Sequence, residues 1–148
     1  MALVVPDWLN AVCFLPLWFS VLPMSKFSPL VVAVAEHVPA HDMLRVHEAL
    51  RTQDRTRLVG PNCPGIMSPR ARCRVGIMPY GQYEAGCVGI VSKSGTLSYE
   101  AVGATTTAGL GQSVVVGMGG DMLPGTFTEN LFPLFLWQVV HVGIGVEE

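Results

Sequence analysis

The stretch IVSKSGTLSYE, residues 90–100, joins an apolar run to a polar, glycine-bearing corner and then to a segment with helical character. The β-branched residues before Ser92 predict a strand, and the residues from about 95 to 108 predict a helix. A turn between the two needs only one or two small polar residues. This corner instead holds Ser92, Lys93, Ser94, Gly95 and Thr96. The question is whether the corner binds an anion.

A helix that begins near Gly95 leaves its first N–H groups unpaired and carries partial positive charge at that end. Hydroxyl groups and the charge of Lys93 add to these donors, so the corner suits a phosphate group. The alternative is that Ser94 is an ordinary N-cap and Gly95 only eases the turn. The spacing matches neither of the common glycine-rich phosphate loops. Both interpretations therefore stay open on these residues alone.

A second glycine-rich corner follows the predicted strand QSVVVGMGG, residues 112–120. In a parallel sheet the carboxyl ends of neighbouring strands share one edge, so this corner and Ser92 to Gly95 are expected to converge. Asp121 closes the second corner. It is a candidate for orienting a partner or a metal, although an Asp after Gly-Gly is more often a turn or cap residue.

Upstream, the pattern predicts a βαβ unit with a right-handed crossover. LVVAVAE (30–36) is a continuous β-branched run, typical of a strand that is covered on both faces. Residues 40–55 predict a helix with Asp42 as N-cap and an apolar stripe. That stripe consists of Met43, Val46 and Leu50. TRLVG (56–60) predicts the second strand.

Two segments lie between these units. GPNCPGIMSPRA (60–71) is too rich in Gly, Pro and Asn for a regular element, and we expect a shaped loop at the carboxyl end of a strand. CRVGIMPYGQYEAG (73–86) predicts a linker of short extended structure and a turn. The predicted fold class is α/β with parallel strands, divided into residues 29–80 and 87–130. Residues 1–28 and 131–148 fit neither part.

Composition excludes several classes of protein. Half of the 148 residues are hydrophobic and 14% are charged, which argues against a disordered chain. A net charge of −2 gives no basic surface for nucleic acid. The four cysteines show no C-x-x-C spacing, so free thiols are expected and no metal site.

The uncharged stretch at residues 8–25 is near the minimum length of a membrane span. Pro16 and Pro23 argue against a span, as do Asn10 and Ser20, so membrane insertion is not favoured. No basic residue precedes the stretch, which disfavours a secretory or mitochondrial presequence.

Three motifs resemble the α subunit of succinyl-CoA synthetase (succinate–CoA ligase). The span from Ser92 to Asp121 is similar to its S-[KR]-S-G signature, followed by Tyr and Glu in a helix and a strand closing in G-x-G-G-D. RLVGPNCPGIMSP (57–69) resembles its G-P-N-C-P-G segment. VAEHVPAHDM (34–43) resembles its T-E-G-I-P-x-x-D-M segment. The motifs occur in the order and at the spacing of the family.

The resemblance implies a fold and a set of roles. The first part corresponds to a Rossmann-like domain that binds coenzyme A, and the second to the start of a flavodoxin-like ligase domain. Coenzyme A contacts are implied for Val34, Ala35, Glu36, Asn62 and Pro64. Tyr99 corresponds to a substrate-site tyrosine that faces a nucleotide-binding β subunit. The corner 92–96 corresponds to the helix start that receives the phosphohistidine.

Departures from the family limit what the resemblance implies. The first phosphate-cradling turn for coenzyme A and the later G-H-A-G segment with the phosphorylated histidine have no counterpart, and Ala35 and His37 replace the usual Thr and Gly. The expected function is therefore that of a truncated or divergent α subunit, inactive alone. The alternatives are a non-catalytic module that keeps the β-subunit contact, or a non-functional gene fragment. The resemblance implies the mitochondrial matrix; otherwise the chain is expected in the cytoplasm.

Overall fold

The fold is α/β, as the sequence predicts, in a computed structural model that describes residues 29–126. Within that range the order of elements is β1 (Leu30–Val32), α1 (Ala40–Arg51), β2 (Arg57–Val59), β3 (Gly65–Ser68), β4 (Cys73–Gly76), a 3₁₀ turn (Tyr80–Gln82), β5 (Ala85–Ser92), α2 (Gly95–Thr107) and β6 (Gln112–Gly117). No helix of the described part is long and apolar enough to span a membrane. The apolar stretch at 8–25 and the segment 131–148 lie outside the described residues.

The first unit is the predicted βαβ arrangement, with β1 and β2 paired in parallel from Leu30 opposite Arg57 to Val32 opposite Val59. The predicted apolar stripe of α1 is confirmed, because Met43 and Val46 are buried in one cluster and Leu50 packs against it. That burial against Val31, Ala33 and Leu58 holds the helix on the sheet.

Two local predictions for this unit are wrong. Asp42 is not the N-cap, which is Pro39, and it lies in the first turn of α1, where its carboxylate favours the helix dipole. The strand predicted to reach residue 36 ends at Val32. Beyond Ala33, whose N–H donates to the carbonyl of Val59 at 2.8 Å, the chain leaves the ladder.

The second sheet has four strands in the order β4-β3-β6-β5, within the described part. β5 and β6 run parallel and are joined by α2, as the sequence predicts. β3 instead pairs antiparallel with both β4 and β6, so this sheet is mixed and not wholly parallel.

The hairpin of β3 and β4 corrects the loop predicted at 60–71 and the linker predicted at 73–86. Gly65 and Gly76 lie opposite each other, with φ of 110° and 114°. A Cβ at Gly65 would lie 2.0 Å from the carbonyl oxygen of Val75, so glycine permits a close strand pair here. The hairpin extends the sheet of β5 and β6, and the division of the chain at residues 80 and 87 stays a prediction.

A shared core connects the two sheets. Its buried members come from β1, β2 and the following loop on one side, and from β4, β6 and the residue after β6 on the other. They are Val32, Val59, Cys63, Val75, Val116 and Met118. Burial raises the pKa of the Cys63 thiol to about 11, and its Sγ donates to the carbonyl of Ala33 at 3.1 Å. The thiol therefore stays protonated at neutral pH and is not a nucleophile.

The chain after β6 fits closely against the loop after β2. Gly119 has a φ of 98°, and a Cβ there would lie 1.9 Å from the carbonyl oxygen of Pro61. Further along, the N–H of Gly125 donates to the carbonyl of Gly60 at 2.8 Å, and Thr126 Oγ1 donates to the carbonyl of Leu58 at 2.6 Å. These contacts fix the loop at 60–65 relative to the end of β6.

We expect Gly119→Ala to lower the free energy of unfolding by about 2 kcal/mol or more, because the methyl group meets backbone and the φ is strained for alanine. The matched control is Gly103→Ala in α2, where a Cβ meets nothing within 4 Å. This control should raise the free energy of unfolding by about 0.5–1 kcal/mol. Urea unfolding measures both. Equal effects of the two substitutions would contradict the close fit at Gly119.

Candidate functional site

The corner at the start of α2 is built by a capped helix terminus. Ser94 is the N-cap, and its Oγ accepts a hydrogen bond from the N–H of Leu97 at 3.4 Å. Ser92 is buried, and its hydroxyl donates to the carbonyl of Ser94 at 2.8 Å. Capping of the helix is therefore confirmed. Ser92 shapes the corner, and the contact of its hydroxyl with the backbone does not favour its predicted role as a phosphate ligand.

Capping by Ser94 leaves hydrogen-bond donors of the corner unpaired among the described residues. Within residues 29–126 the N–H groups of Gly95 and Thr96 donate to no acceptor of the protein. The side chains of Lys93 and Thr96 are exposed. Two free N–H groups, a hydroxyl and an ammonium group at the positive end of a 13-residue helix can bind an anion. The cap and the anion site are thus compatible interpretations.

The second glycine-rich corner lies beside the first, as predicted. Ser92 at the end of β5 pairs with Gly117 at the end of β6. The N–H of Met118 continues the ladder by donating to the carbonyl of Ser92 at 2.8 Å. The parallel pairing therefore brings both corners to one edge of the sheet.

The predicted coenzyme A residues of the first unit follow β1. Val34 packs against the shared core, and the carbonyl of Ala35 accepts from the N–H of Asn62 at 2.8 Å. Glu36 is exposed, and its Oε2 lies 3.9 Å from Nε2 of the exposed His37. Ala35 and Asn62 therefore come together at the ends of two parallel strands, and Glu36 faces solvent beside them.

Asn62 and Pro64 connect this side to the two glycine-rich corners after β5 and β6. Asn62 Nδ2 donates to Asp121 Oδ1 at 3.1 Å, and the carbonyl of Asn62 accepts from the N–H of Gly120 at 3.2 Å. Pro64 is buried, and its Cγ lies 4.0 Å from the position of a Cβ on Gly95. The structure thus assembles Ala35, Asn62 and Pro64 with the corner at 92–96 along one edge.

Asp121 has a side-chain partner, and that partner is Asn62. This contact fits the hypothesis that the aspartate orients another residue. No group of three or more His, Cys, Asp or Glu residues that could hold a metal ion occurs among the described residues.

Tyr99 lies on α2, half-buried against the cluster formed by Met67, Met78, Val88, Ile90, Val102 and Val115. No pattern in the sequence singles out its neighbour Tyr83. The phenol oxygen of Tyr83 is buried and has no partner in the described part of the chain. Burial, and secondarily Tyr99, raises the pKa of Tyr83 to about 12, so this phenol remains neutral at physiological pH.

A family model described as CoA-ligase matches residues 91–140. The mitochondrial α-2 subunit of ADP-forming succinate–CoA ligase from Trichomonas vaginalis is 47% identical over 106 residues, 72% of this chain and 34% of that protein. The corresponding α subunit of Staphylococcus aureus strain Mu50 is 48% identical over 97 residues, 66% of this chain and 32% of that protein. The chain thus spans about a third of the length of the curated relatives it matches.

Solved structures share the fold. ATP citrate lyase from Methanothrix soehngenii, in complex with citrate and coenzyme A, superposes with a TM-score of 0.67 at 25% identity, covering 80% of this chain and 20% of that chain. The dinucleotide-forming acetyl-coenzyme A synthetase 1 of Ca. Korarchaeum cryptofilum has a TM-score of 0.69 at 22% identity, covering 92% of this chain and 31% of that one.

The family match begins within β5 and includes the capped corner at 92–96. The curated relatives match 72% and 66% of the chain at 47% and 48% identity. Fold and sequence together therefore show that the chain carries a partial CoA-ligase segment, homologous to the α subunit of succinate–CoA ligase.

Proposed function

We propose that this segment performs two tasks of a succinate–CoA ligase α subunit, holding coenzyme A at the ends of β1 and β2 and binding a phosphate group at the start of α2. The observation that supports the proposal most is the hydrogen bond between Asn62 and Asp121, which joins the loop after β2 to the glycine-rich corner after β6. That corner lies beside the start of α2, because Gly117 at the end of β6 pairs with Ser92. In such a ligase, succinyl-CoA, phosphate and a nucleoside diphosphate become succinate, coenzyme A and a nucleoside triphosphate.

At the start of α2 the chain itself supplies electrostatic stabilisation. The N–H groups of Gly95 and Thr96 point out of the helix end, where the dipole favours negative charge. Lys93 adds a full positive charge from an exposed position. Fixed donors of this kind stabilise a transferring phosphoryl group without reorganisation.

The described part holds no histidine at this corner that would act as the phosphoryl carrier. His37 is exposed beside Glu36, and His41, which is also exposed, lies on α1 next to Asp42. His47 is on the same helix, and His141 lies outside the described residues. A histidine relay needs an imidazole that faces the helix start, so we propose that residues 29–126 bind phosphate and do not pass it on.

A second candidate function is that of a binding module that retains only the β-subunit contact. Tyr99 favours this candidate. One part of its ring packs against the buried cluster beneath α2, and the other part is exposed, where it could contact a partner. A non-functional gene fragment is the remaining alternative, and it would bind neither ligand nor partner.

We further propose the mitochondrial matrix as the compartment of the chain, with the cytoplasm as the alternative.

The phosphate site is tested by titrating inorganic phosphate into the full chain while following backbone amide shifts. We expect weak binding, with the largest shifts at Gly95 and Thr96. Lys93→Ala should weaken it about three-fold, because an exposed charge contributes modestly. Arg51→Ala, an exposed cation in the last turn of α1, is the matched control and should change nothing. Shifts that occur elsewhere while the corner stays unchanged would contradict the site.

The partner is tested by measuring the affinity of the chain for a succinate–CoA ligase β subunit. We expect binding, and a loss of about ten-fold or more in Tyr99→Ala if the ring is an interface anchor. Tyr99→Phe keeps the packing of the ring and tests the hydroxyl alone. Leu44→Ala, at an exposed position of α1, is the control and should bind normally.

Incubating the chain with the β subunit, succinyl-CoA and labelled phosphate distinguishes the proposed phosphate-binding segment from the binding module and the non-functional fragment. We expect no acid-labile label on the chain. Label retained on a histidine, and lost when that histidine is substituted, would overturn the proposed lack of a phosphoryl carrier. Binding of the β subunit without binding of coenzyme A or phosphate would favour the binding module. Absence of all three would favour the non-functional fragment.

A further inference from the structure

The bond between Asn62 and Asp121 determines which end of the Asn62 carboxamide is turned away. An ionised carboxylate only accepts hydrogen bonds, so the group of Asn62 that faces Asp121 Oδ1 at 3.1 Å must be the amide nitrogen. The oxygen and nitrogen of an amide side chain are otherwise interchangeable by a flip about χ2. The hydrogen bond to Asp121 therefore turns Oδ1 of Asn62 away from Asp121, where this oxygen can accept a hydrogen bond from another group.

The backbone of Asn62 is fixed as well. Its N–H donates to the carbonyl of Ala35 at 2.8 Å, and its carbonyl accepts from the N–H of Gly120 at 3.2 Å. The residue has a φ of 54°, in the left-handed region that asparagine tolerates better than most residues. With both backbone groups already paired, the side chain is the group of Asn62 that remains for a ligand.

We propose that Asp121 is a positioning residue, which holds the carboxamide of Asn62 so that its Oδ1 accepts a hydrogen bond from coenzyme A. The inference rests on the proposed function, since it takes coenzyme A as the ligand at this loop. It also identifies the part of coenzyme A that Asn62 would bind. Phosphate groups at neutral pH only accept hydrogen bonds, whereas the pantetheine arm carries amide N–H donors. Oδ1 of Asn62 is therefore matched to a donor group of the ligand, such as an amide N–H of the arm, and not to a phosphate oxygen.

The proposal is tested on the full chain with two measurements. The side-chain NH₂ resonances of Asn62, followed by NMR without ligand, report the orientation of the amide. A titration of coenzyme A followed by NMR reports affinity, even when binding is weak. The variants are Asp121→Ala, Asn62→Ala, the double variant with both changes, and the exchange Asn62→Asp with Asp121→Asn. Asp54→Ala, an exposed acid between α1 and β2, controls for the change in net charge.

We expect Asp121→Ala to shift the Asn62 resonances and to weaken coenzyme A binding roughly five-fold, as for one misoriented hydrogen bond. The double variant should bind no more weakly than Asn62→Ala, because Asp121 acts only through Asn62. The exchange keeps the net charge and again presents a carboxyl oxygen to the ligand, so it should restore affinity to within about two-fold of the original chain. Asp54→Ala should leave both measurements unchanged.

Unchanged Asn62 resonances in Asp121→Ala would overturn the proposal, and so would additive losses in the double variant. Thermal unfolding of each variant identifies a loss that comes from misfolding, and in that case the exchange variant decides. If the original chain binds no coenzyme A, the proposed function fails in that respect. The positioning of Asn62 is then judged from its resonances alone, so the two failures are distinguishable.

Discussion

The close fit between the loop after β2 and the chain after β6 is the constraint on which the site depends. Gly119 lies against the carbonyl of Pro61 where no side chain fits, and Asn62 is bonded through its backbone to Ala35 and Gly120. The loop after β2 follows a strand of the two-stranded sheet, and the chain after β6 follows a strand of the four-stranded sheet. Because both sheets also share the core around Cys63, we expect a change at either loop to affect the other. The edge that carries the predicted ligand residues is therefore one packed unit.

This arrangement relates the two proposed tasks of the segment. The residues proposed for coenzyme A follow β1 and β2, and those proposed for phosphate follow β5, with the end of β6 between them. The carboxyl ends of parallel strands are where open α/β sheets place their ligands. The start of α2 offers free N–H groups and the charge of Lys93, whereas the proposed role of Asn62 is to accept a hydrogen bond from coenzyme A. The same edge would thus offer different chemistry to two ligands, coenzyme A and phosphate.

The regular parts of this fold could be predicted from residue patterns. The helical spacing of Met43, Val46 and Leu50 predicts the apolar stripe of α1, and the two strand–helix patterns predict the parallel pairs β1–β2 and β5–β6. At Ser94 the residues allow an N-cap, an anion site or both, and the cap is present in the structure. The hairpin of β3 and β4 was missed because Gly65 and Gly76 usually mark loops, whereas here each permits the approach of the other strand. The contact between Asn62 and Asp121 spans 59 residues. No local pattern predicts such a contact, and the sequence indicated only that Asp121 lay at the right edge.

Native-state hydrogen exchange of the full chain tests most directly whether the two loops form one unit. The amides of Asn62, Met118 and Gly120 donate to Ala35, Ser92 and Asn62 respectively, across the loops and between strand ends. If the edge is one packed unit, these three amides exchange through a common opening, with a free energy close to that of the core amides of β5 and β6. Exchange of Asn62 and Gly120 at a much lower free energy than Met118, each with its own denaturant dependence, would contradict the account.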